Sequence, residues 1–420
     1  MDLEGAYRED VLPNGLTVVS EAMPHVRSVS VGMWVGYGSR HEPPAQGGTS
    51  HFIEHLLFKG TERRSARKLA EEIDSVGGQL NGFTAKEYTC YYCRVLDDHL
   101  ELAVDLLSDM FLRSSFDPAD VEKERGVVLE EIRLYLDAPD EQVHDLLAEA
   151  VWGSHALGRG VLGTLEEVAG LSRQAILAAY RQSYRPSRII LAAAGNLDHS
   201  RLVDLAARFF DAPPDPTPGP VSPRPQASPR FKLLQKDTEQ VHICLGSEGV
   251  PLGDSRFYAF SVLSAALGGG SSSRLFQNVR EDRGLVYSIY SYEVGYRDTG
   301  LLGIYAGTNP GWVGPVLEAA RAEMRQLREA IRPEELARAK EQIKGGLLLG
   351  LESTSHRMTR LGKLKLLLHR VPTVQEVLDR IEAVTASDVK ELAELVLDER
   401  RMALAVIGPV GEEVKGLWPS

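Results

Sequence analysis

A repeat restricts the fold of this 420-residue chain more than any other feature. A β-rich run at residues 28–35 returns at 240–246, and each run is followed by a short loop and a helical segment of small residues. A second β-rich region comes next, at 79–95 and 285–307, then long helical patterns at 118–150 and 333–368. Short, wholly apolar strands close the halves at 189–194 and 402–407. The offset is about 210 residues throughout, so the chain reads as a duplicated α/β unit; two copies are too few for a solenoid. Between the copies, residues 211–230 hold eight of the 22 prolines. Proline fixes φ and removes a donor, so this stretch reads as an extended, semi-rigid linker. The expected organisation is an N-terminal domain at 1–212, a linker at 213–230 and a C-terminal domain at 231–420.

Composition narrows the function. The net charge is −12, which disfavours binding to phosphate backbones, so no nucleic-acid partner is expected. Met1-Asp2-Leu3-Glu4 opens acidic and without an apolar stretch, and no apolar run is long enough to span a bilayer. The expectation is a soluble, cytoplasmic protein without a membrane partner. Three cysteines do not make a disulfide framework. Cys90 and Cys93 have C-x-x-C spacing, but they lie in a strand-like run, where i and i+3 point to opposite faces.

The chemistry concentrates in His51-Phe52-Ile53-Glu54-His55. On a helix, i, i+3 and i+4 share a face, which places two imidazoles and a carboxylate together. Two histidines one turn apart suit tetrahedral Zn²⁺, and the glutamate between them suits a base that activates water. The order H-x-x-E-H inverts the commoner zincin order. The repeat supplies an internal control. His51, Glu54 and His55 fall opposite Phe260, Leu263 and Ser264, so the fold does not require the polar set. A catalytic zinc needs a third protein ligand. Glu131 is the best donor, with Glu124 two turns earlier on the same face, placed to hold a histidine tautomer. Taken alone, that helix reads more readily as an acidic, solvated face.

With these residues in place, the chain resembles the pitrilysin/insulinase zinc peptidases, the inverzincins, and most closely the branch of mitochondrial processing peptidase and its bacterial relatives. The resemblance covers nearly the whole chain. It rests on Leu12-Pro13-Asn14-Gly15-Leu16, Gly47-Gly48-Thr49-Ser50 with the motif that follows, the Glu124–Glu131 pair, and Leu157-Gly158-Arg159 with Leu162-Gly163. It implies an α+β fold of two similar domains, each a mostly antiparallel sheet with helices packed on it, forming half of a clamshell. It implies one Zn²⁺ per chain on His51, His55 and Glu131, with Glu54 as general base. Arg280 and Tyr287, spaced R-x₆-Y, would hold the substrate carbonyl and its developing oxyanion. Asn81, Thr84 and Ala85 match an edge strand that takes up an extended peptide by β-addition, although Asn81-Gly82 also suits the start of a hairpin. Glu141 and Asp145, one turn apart, match acidic positions that bind a basic side chain.

The expected activity is therefore metalloendopeptidase hydrolysis of unfolded peptides in an enclosed chamber. Because the chain carries both the metal motif and the Arg/Tyr pair, a homodimer with sites shared between subunits is expected. The competing reading is a non-catalytic or assisting subunit of a processing-peptidase-like complex. Gly268-Gly269-Gly270-Ser271-Ser272-Ser273 lacks the ending of a phosphate loop and reads as a turn. His144 and His155 read as structural or surface residues.

Overall fold

The computed structural model describes residues 7–213 and 222–418. Its eleven strands are β1 (Tyr7–Val11), β2 (Thr17–Ala22), β3 (Ser28–Val35), β4 (Gln79–Thr84), β5 (Thr89–Leu96), β6 (Ile189–Gly195), β7 (Phe231–Gln235), β8 (Val241–Gly249), β9 (Val286–Gly295), β10 (Gly300–Thr308) and β11 (Ala403–Gly408). The helices that matter here are α1 (Thr49–Leu57), α2 (Pro118–Leu136), α3 (Pro139–Trp152), α4 (Phe257–Gly268), α5 (Pro333–Gly350) and α6 (Thr354–Leu368).

The strands form two sheets, ordered β1-β2-β6-β3-β5-β4 and β7-β11-β8-β10-β9. In the first, β2 and β6 are parallel and the other neighbours antiparallel; in the second, β7 and β11 are parallel and the rest antiparallel. Apart from β1, the two orders superimpose strand for strand. The duplication read from the sequence is thus a duplication of topology, and each sheet is mostly antiparallel as expected.

At the centre of the first sheet β3 and β6 are covered on both faces, which suits the wholly apolar run of β6. Val29, Val31, Met33 and Val35 of β3 point into one core with Phe52, Ile53, Leu56 and Leu57 of α1. Trp34 points the other way, into a second core with Ile190, Ala192, Met358 and Leu361. Cys93 belongs to the first of these cores and Cys90 to the second, so the pair lies on opposite faces of β5 and is not a site.

The compact units are not the two halves of the sequence. One comprises Met1–Arg133, Gly160–Ser222 and Leu348–Val374; the other comprises Leu134–Arg159, Pro223–Leu347 and Gln375–Ser420. Helix α6 therefore packs on the first sheet. There Trp34 Nε1 donates to Met358 Sδ at 3.4 Å, and Ser30 Oγ and Thr354 Oγ1 are 2.9 Å apart. The approach is close enough that a Cβ on Gly362 would lie 2.2 Å from Trp34 Nε1. Helix α3 belongs to the other unit, where Val143, Leu147 and Val151 pack with Cys244, Ala405 and Ile407. The compact units differ from the expected bounds 1–212 and 231–420: α3 falls in the second unit and α6 in the first. Period-2 patterning separates the two faces of a strand but does not name the helix that covers either.

Part of the expected linker, 214–221, lies outside the described residues. The remainder is tied down: Ser228 N and Arg230 N donate to Val151 O and Ala150 O at 2.8 and 3.0 Å. Among the described residues, no helix is long and apolar enough to cross a membrane.

One buried ion pair in the second unit gives a test of stability. Glu335 is 5% exposed and accepts from Arg274 Nη2 at 2.7 Å, Arg332 Nη2 at 2.5 Å and Arg332 N at 3.0 Å. Burial alone would raise its pKa, but the hydrogen bonds from Arg332 and Arg274 outweigh burial and hold it at about 2. The folded pKa lies below the unfolded one. Its stabilisation is therefore complete above the ordinary carboxylate range and is lost as pH falls towards 2. Glu335→Gln is expected to lower unfolding stability by roughly 3 kcal/mol at pH 7. In urea titrations the gap from wild type should narrow below pH ~4. A gap that does not depend on pH would contradict this account.

Candidate active site

Helix α1 has two chemically different faces. Phe52, Ile53, Leu56 and Leu57 are buried in the core, which fixes the rotation of the helix. His51, Glu54 and His55 consequently share the other face. The long helix α2 brings up Glu131, with Val121, Val128 and Ile132 anchoring its core side.

The three expected ligands converge. His51 Nε2 and His55 Nε2 lie 3.7 and 3.4 Å from Glu131 Oε2. Ligand atoms of the three residues all lie within 4.8 Å of one another, and they are the only such cluster among the described residues. Donors bound at about 2 Å in a tetrahedron sit about 3.3 Å apart, so this spread fits a zinc ion. The chemistry of the set fits too: two imidazoles and one carboxylate, with Glu131 nearly half exposed on the open side.

The electrostatics agree with a cation site. Burial, and then the charge of His55, lowers the pKa of His51 to about 4, which keeps it neutral and able to ligate. Burial would lower His55 as well, but hydrogen bonds and charge from Glu131, with help from Glu124, raise it. The Glu131 carboxyl is held down, first by its contact with His55.

Glu124 is 1% exposed, and its Oε2 lies 3.4 Å from His55 Nδ1. From this side of the ring a carboxylate can fix a histidine tautomer. The other Glu124 oxygen is ion-paired with Lys59 Nζ at 2.9 Å. Sequence reasoning missed Lys59, although its place four residues after His55 was a usable signal. His51 Nδ1 is buried without a hydrogen-bond partner among the described residues.

Glu54 stands beside the cluster. Thr84 Oγ1 donates to Glu54 Oε2 at 2.6 Å. Burial raises the Glu54 pKa, and the Thr84 bond only partly offsets this. Thr84, expected to touch substrate, thus has its hydroxyl committed to Glu54. Gly82 was also missed: a Cβ there would lie 3.3 Å from Glu54 Cγ. Asn81 and Gly82 lie inside β4, so they do not form the hairpin turn. Asn81 is exposed, and the carbonyl of Ala85 accepts from Ser39 N at 3.3 Å.

The remaining expected residues lie in the second unit. Arg280 sits on a π-helical turn, Phe276–Asp282, and its guanidinium lies 5.7 Å from the centroid of the Tyr287 ring. Tyr287 is 77% exposed. On α3, Glu141 is exposed, while Asp145 accepts from Tyr135 OH at 2.8 Å. His144 lies between Tyr290 OH and Tyr292 OH, and His155 Nδ1 accepts from Leu157 N, so both act structurally. At the position of the metal motif in the second copy, Phe260 and Leu263 are core residues of α4 and Ser264 is 1% exposed.

The comparisons with known proteins define a zinc metallopeptidase. The chain belongs to the insulinase family, peptidase family M16, whose members use zinc: that family's model matches residues 17–165, and the peptidase M16 inactive domain matches 170–343. An uncharacterized zinc protease of Streptomyces coelicolor is 46% identical over 418 residues, covering 97% of this chain and 91% of that protein. An uncharacterized zinc protease of Bacillus subtilis is 45% identical over 401 residues, covering 95% and 97%. Among solved structures, a protease from Helicobacter pylori has the same fold at a TM-score of 0.90 and 20% identity, over 97% of this chain and all of that one.

Proposed function

We propose that this chain is a zinc-dependent endopeptidase that hydrolyses unfolded peptides, with Glu54 as its general base. The observation that carries the reading is the convergence of His51 Nε2, His55 Nε2 and Glu131 Oε2 beside a buried carboxylate. Zinc held there supplies Lewis-acid polarisation of a carbonyl and makes water more acidic. The rest of the chemistry belongs to the chain. The Thr84 hydroxyl anchors Glu54 through Oε2. Glu54 accepts a proton from that water and returns it to the leaving amine, and its raised pKa makes it a better base than an ordinary carboxylate.

The substrate is an extended peptide. Strand β4 pairs with β5 on one side and ends the sheet on the other. A peptide added along that edge would run past Gly82 and Glu54. Glu141 and Asp145 would hold a basic side chain of the substrate. Cleavage of an unstructured peptide, but not of a folded protein of the same composition, is the expected result. Chelation should abolish it and added zinc should restore it; cleavage that survives chelation would sink the proposal.

In this reading two copies of the chain form a homodimer, and each site takes Arg280 and Tyr287 from the other copy. These groups would stabilise the oxyanion that forms on the scissile carbonyl. The exposure of Tyr287 supports such a role. Glu54→Gln and Tyr287→Phe chains, each inactive alone, should recover activity when mixed. No recovery after verified subunit exchange would contradict sharing between copies.

A further inference from the structure

Helix α1 begins in an unusual way. Its N-cap is Gly48, at φ 83°, and no side chain at that position caps the helix. The first N–H groups of a helix have no partners within it and need an acceptor. Here the acceptor comes from six residues upstream. Glu42 Oε2 accepts from Gly48 N at 3.0 Å, and Glu42 Oε1 accepts from Ser50 N at 2.6 Å. The carboxylate is 4% exposed, so both charge-assisted bonds are shielded from water. A negative charge also suits the positive end of the helix.

The loop between is folded to make this reach. Gln46 N donates to Pro43 O at 3.1 Å, and Thr49 Oγ1 donates to Gln46 O at 2.7 Å. A second segment closes over it. A Cβ on Gly48 would lie 2.4 Å from Leu162 O, and one on Gly163 would lie 2.5 Å from Gly47 O. The motif Leu162-Gly163 thus has a physical role: its backbone lies directly on the turn that precedes α1.

The second copy of the fold shows what the architecture itself requires. Before α4, Asp254 Oδ1 accepts from Arg256 N at 2.9 Å, and the Asp254 carboxylate is bound to the Arg256 side chain. That is a local turn near the surface, and no side chain caps α4. The buried carboxylate that spans a loop occurs in the copy that carries His51, Glu54 and His55. Ser50, which Glu42 grips, is the residue directly before His51.

We propose that Glu42 is a positioning residue for the reaction. Its two oxygens fix the first turn of α1, and through it the direction of His51 towards Glu131 and of Glu54 towards the reacting water. This rests on the function proposed above. Glu42→Gln keeps the size of the side chain but leaves one oxygen and sets an amide N–H₂ against the other backbone N–H.

The test is metal binding by the full-length chain, read by competition with a chelator and by the visible spectrum after cobalt replaces zinc. Glu42→Gln is expected to weaken zinc binding by about tenfold to a hundredfold, the range for residues that orient a ligand. Its cobalt spectrum should shift, and kcat should fall with KM unchanged. Glu42→Asp, which keeps both oxygens, should recover part of each. Glu335→Gln serves as the control for lost stability, and should keep wild-type zinc affinity and cobalt spectrum. Wild-type affinity and spectrum in Glu42→Gln would overturn the inference. So would equal weakening in Glu42→Gln and Glu335→Gln, since lost stability would then account for both. Failure of the wild-type chain to bind zinc would overturn the proposed function itself, a result distinct from either of these.

Discussion

Glu54→Gln is expected to bind one zinc per chain as wild type does, and to lose kcat by a factor on the order of 10³. The side chain feels the charges of His55 and Glu131 but does not belong to the donor cluster. Glutamine fills the same volume, and its carbonyl oxygen can still accept the Thr84 hydrogen bond. What it cannot do is take a proton. The environment of Glu54 magnifies that difference, because burial raises its pKa and makes the carboxylate a stronger base. Turnover of a fluorogenic peptide, with metal content measured on the same sample, separates the two effects. Retained turnover with zinc present would remove Glu54 from the chemistry. Lost turnover together with lost zinc would make it a ligand.

Glu131→Ala is expected to have the opposite signature. It removes the only carboxylate of the donor set and the one residue supplied by α2. His51 and His55 remain on α1, but two donors do not close a tetrahedral site. Zinc affinity should fall by more than about a hundredfold, beyond the cost of losing a residue that merely orients a ligand. The Glu131 side chain is nearly half exposed, so the metal-free variant should melt close to metal-free wild type. Without the carboxylate, His55 also loses the contact that most raises its pKa. Chelator competition measures the first effect and calorimetry of the metal-free proteins the second. Unchanged zinc affinity would place the third ligand elsewhere.

Much of this site was legible because one turn of helix is a rigid ruler. The spacing of His51, Glu54 and His55 fixed their common face before any coordinates, and the apolar residues between them fixed which way that face turned. The metal-less copy at Phe260, Leu263 and Ser264 separated folding from function without any other protein for comparison. Glu131 was different. It lies 76 residues beyond His55, and no local pattern ties α2 to α1; only the family spacing did so.

What was not legible depended on long-range packing. Val29, Val31 and Met33 alternate with Ser28, Ser30 and Gly32 along β3, and nothing in that pattern tells that α6 covers the second set. The exchange of α3 and α6 between the compact units is therefore invisible to periodicity. The hydroxyl of Thr84 was read as a group for substrate because it lies on an edge strand. Its bond to Glu54 follows from the packing of β4 against α1, which brings Gly82 over the same carboxylate. Glu42 escaped for a similar reason: helix caps are sought at the adjacent residue, and this one folds back over six.

The central claim is that His51, His55 and Glu131 hold a zinc ion. An anomalous difference map at the zinc absorption edge, from crystals of the zinc-loaded chain, tests it most directly. The account predicts one peak per chain, about 2 Å from His51 Nε2, His55 Nε2 and a Glu131 oxygen. A map without density between these three residues, or with its only peak on other side chains, would contradict it.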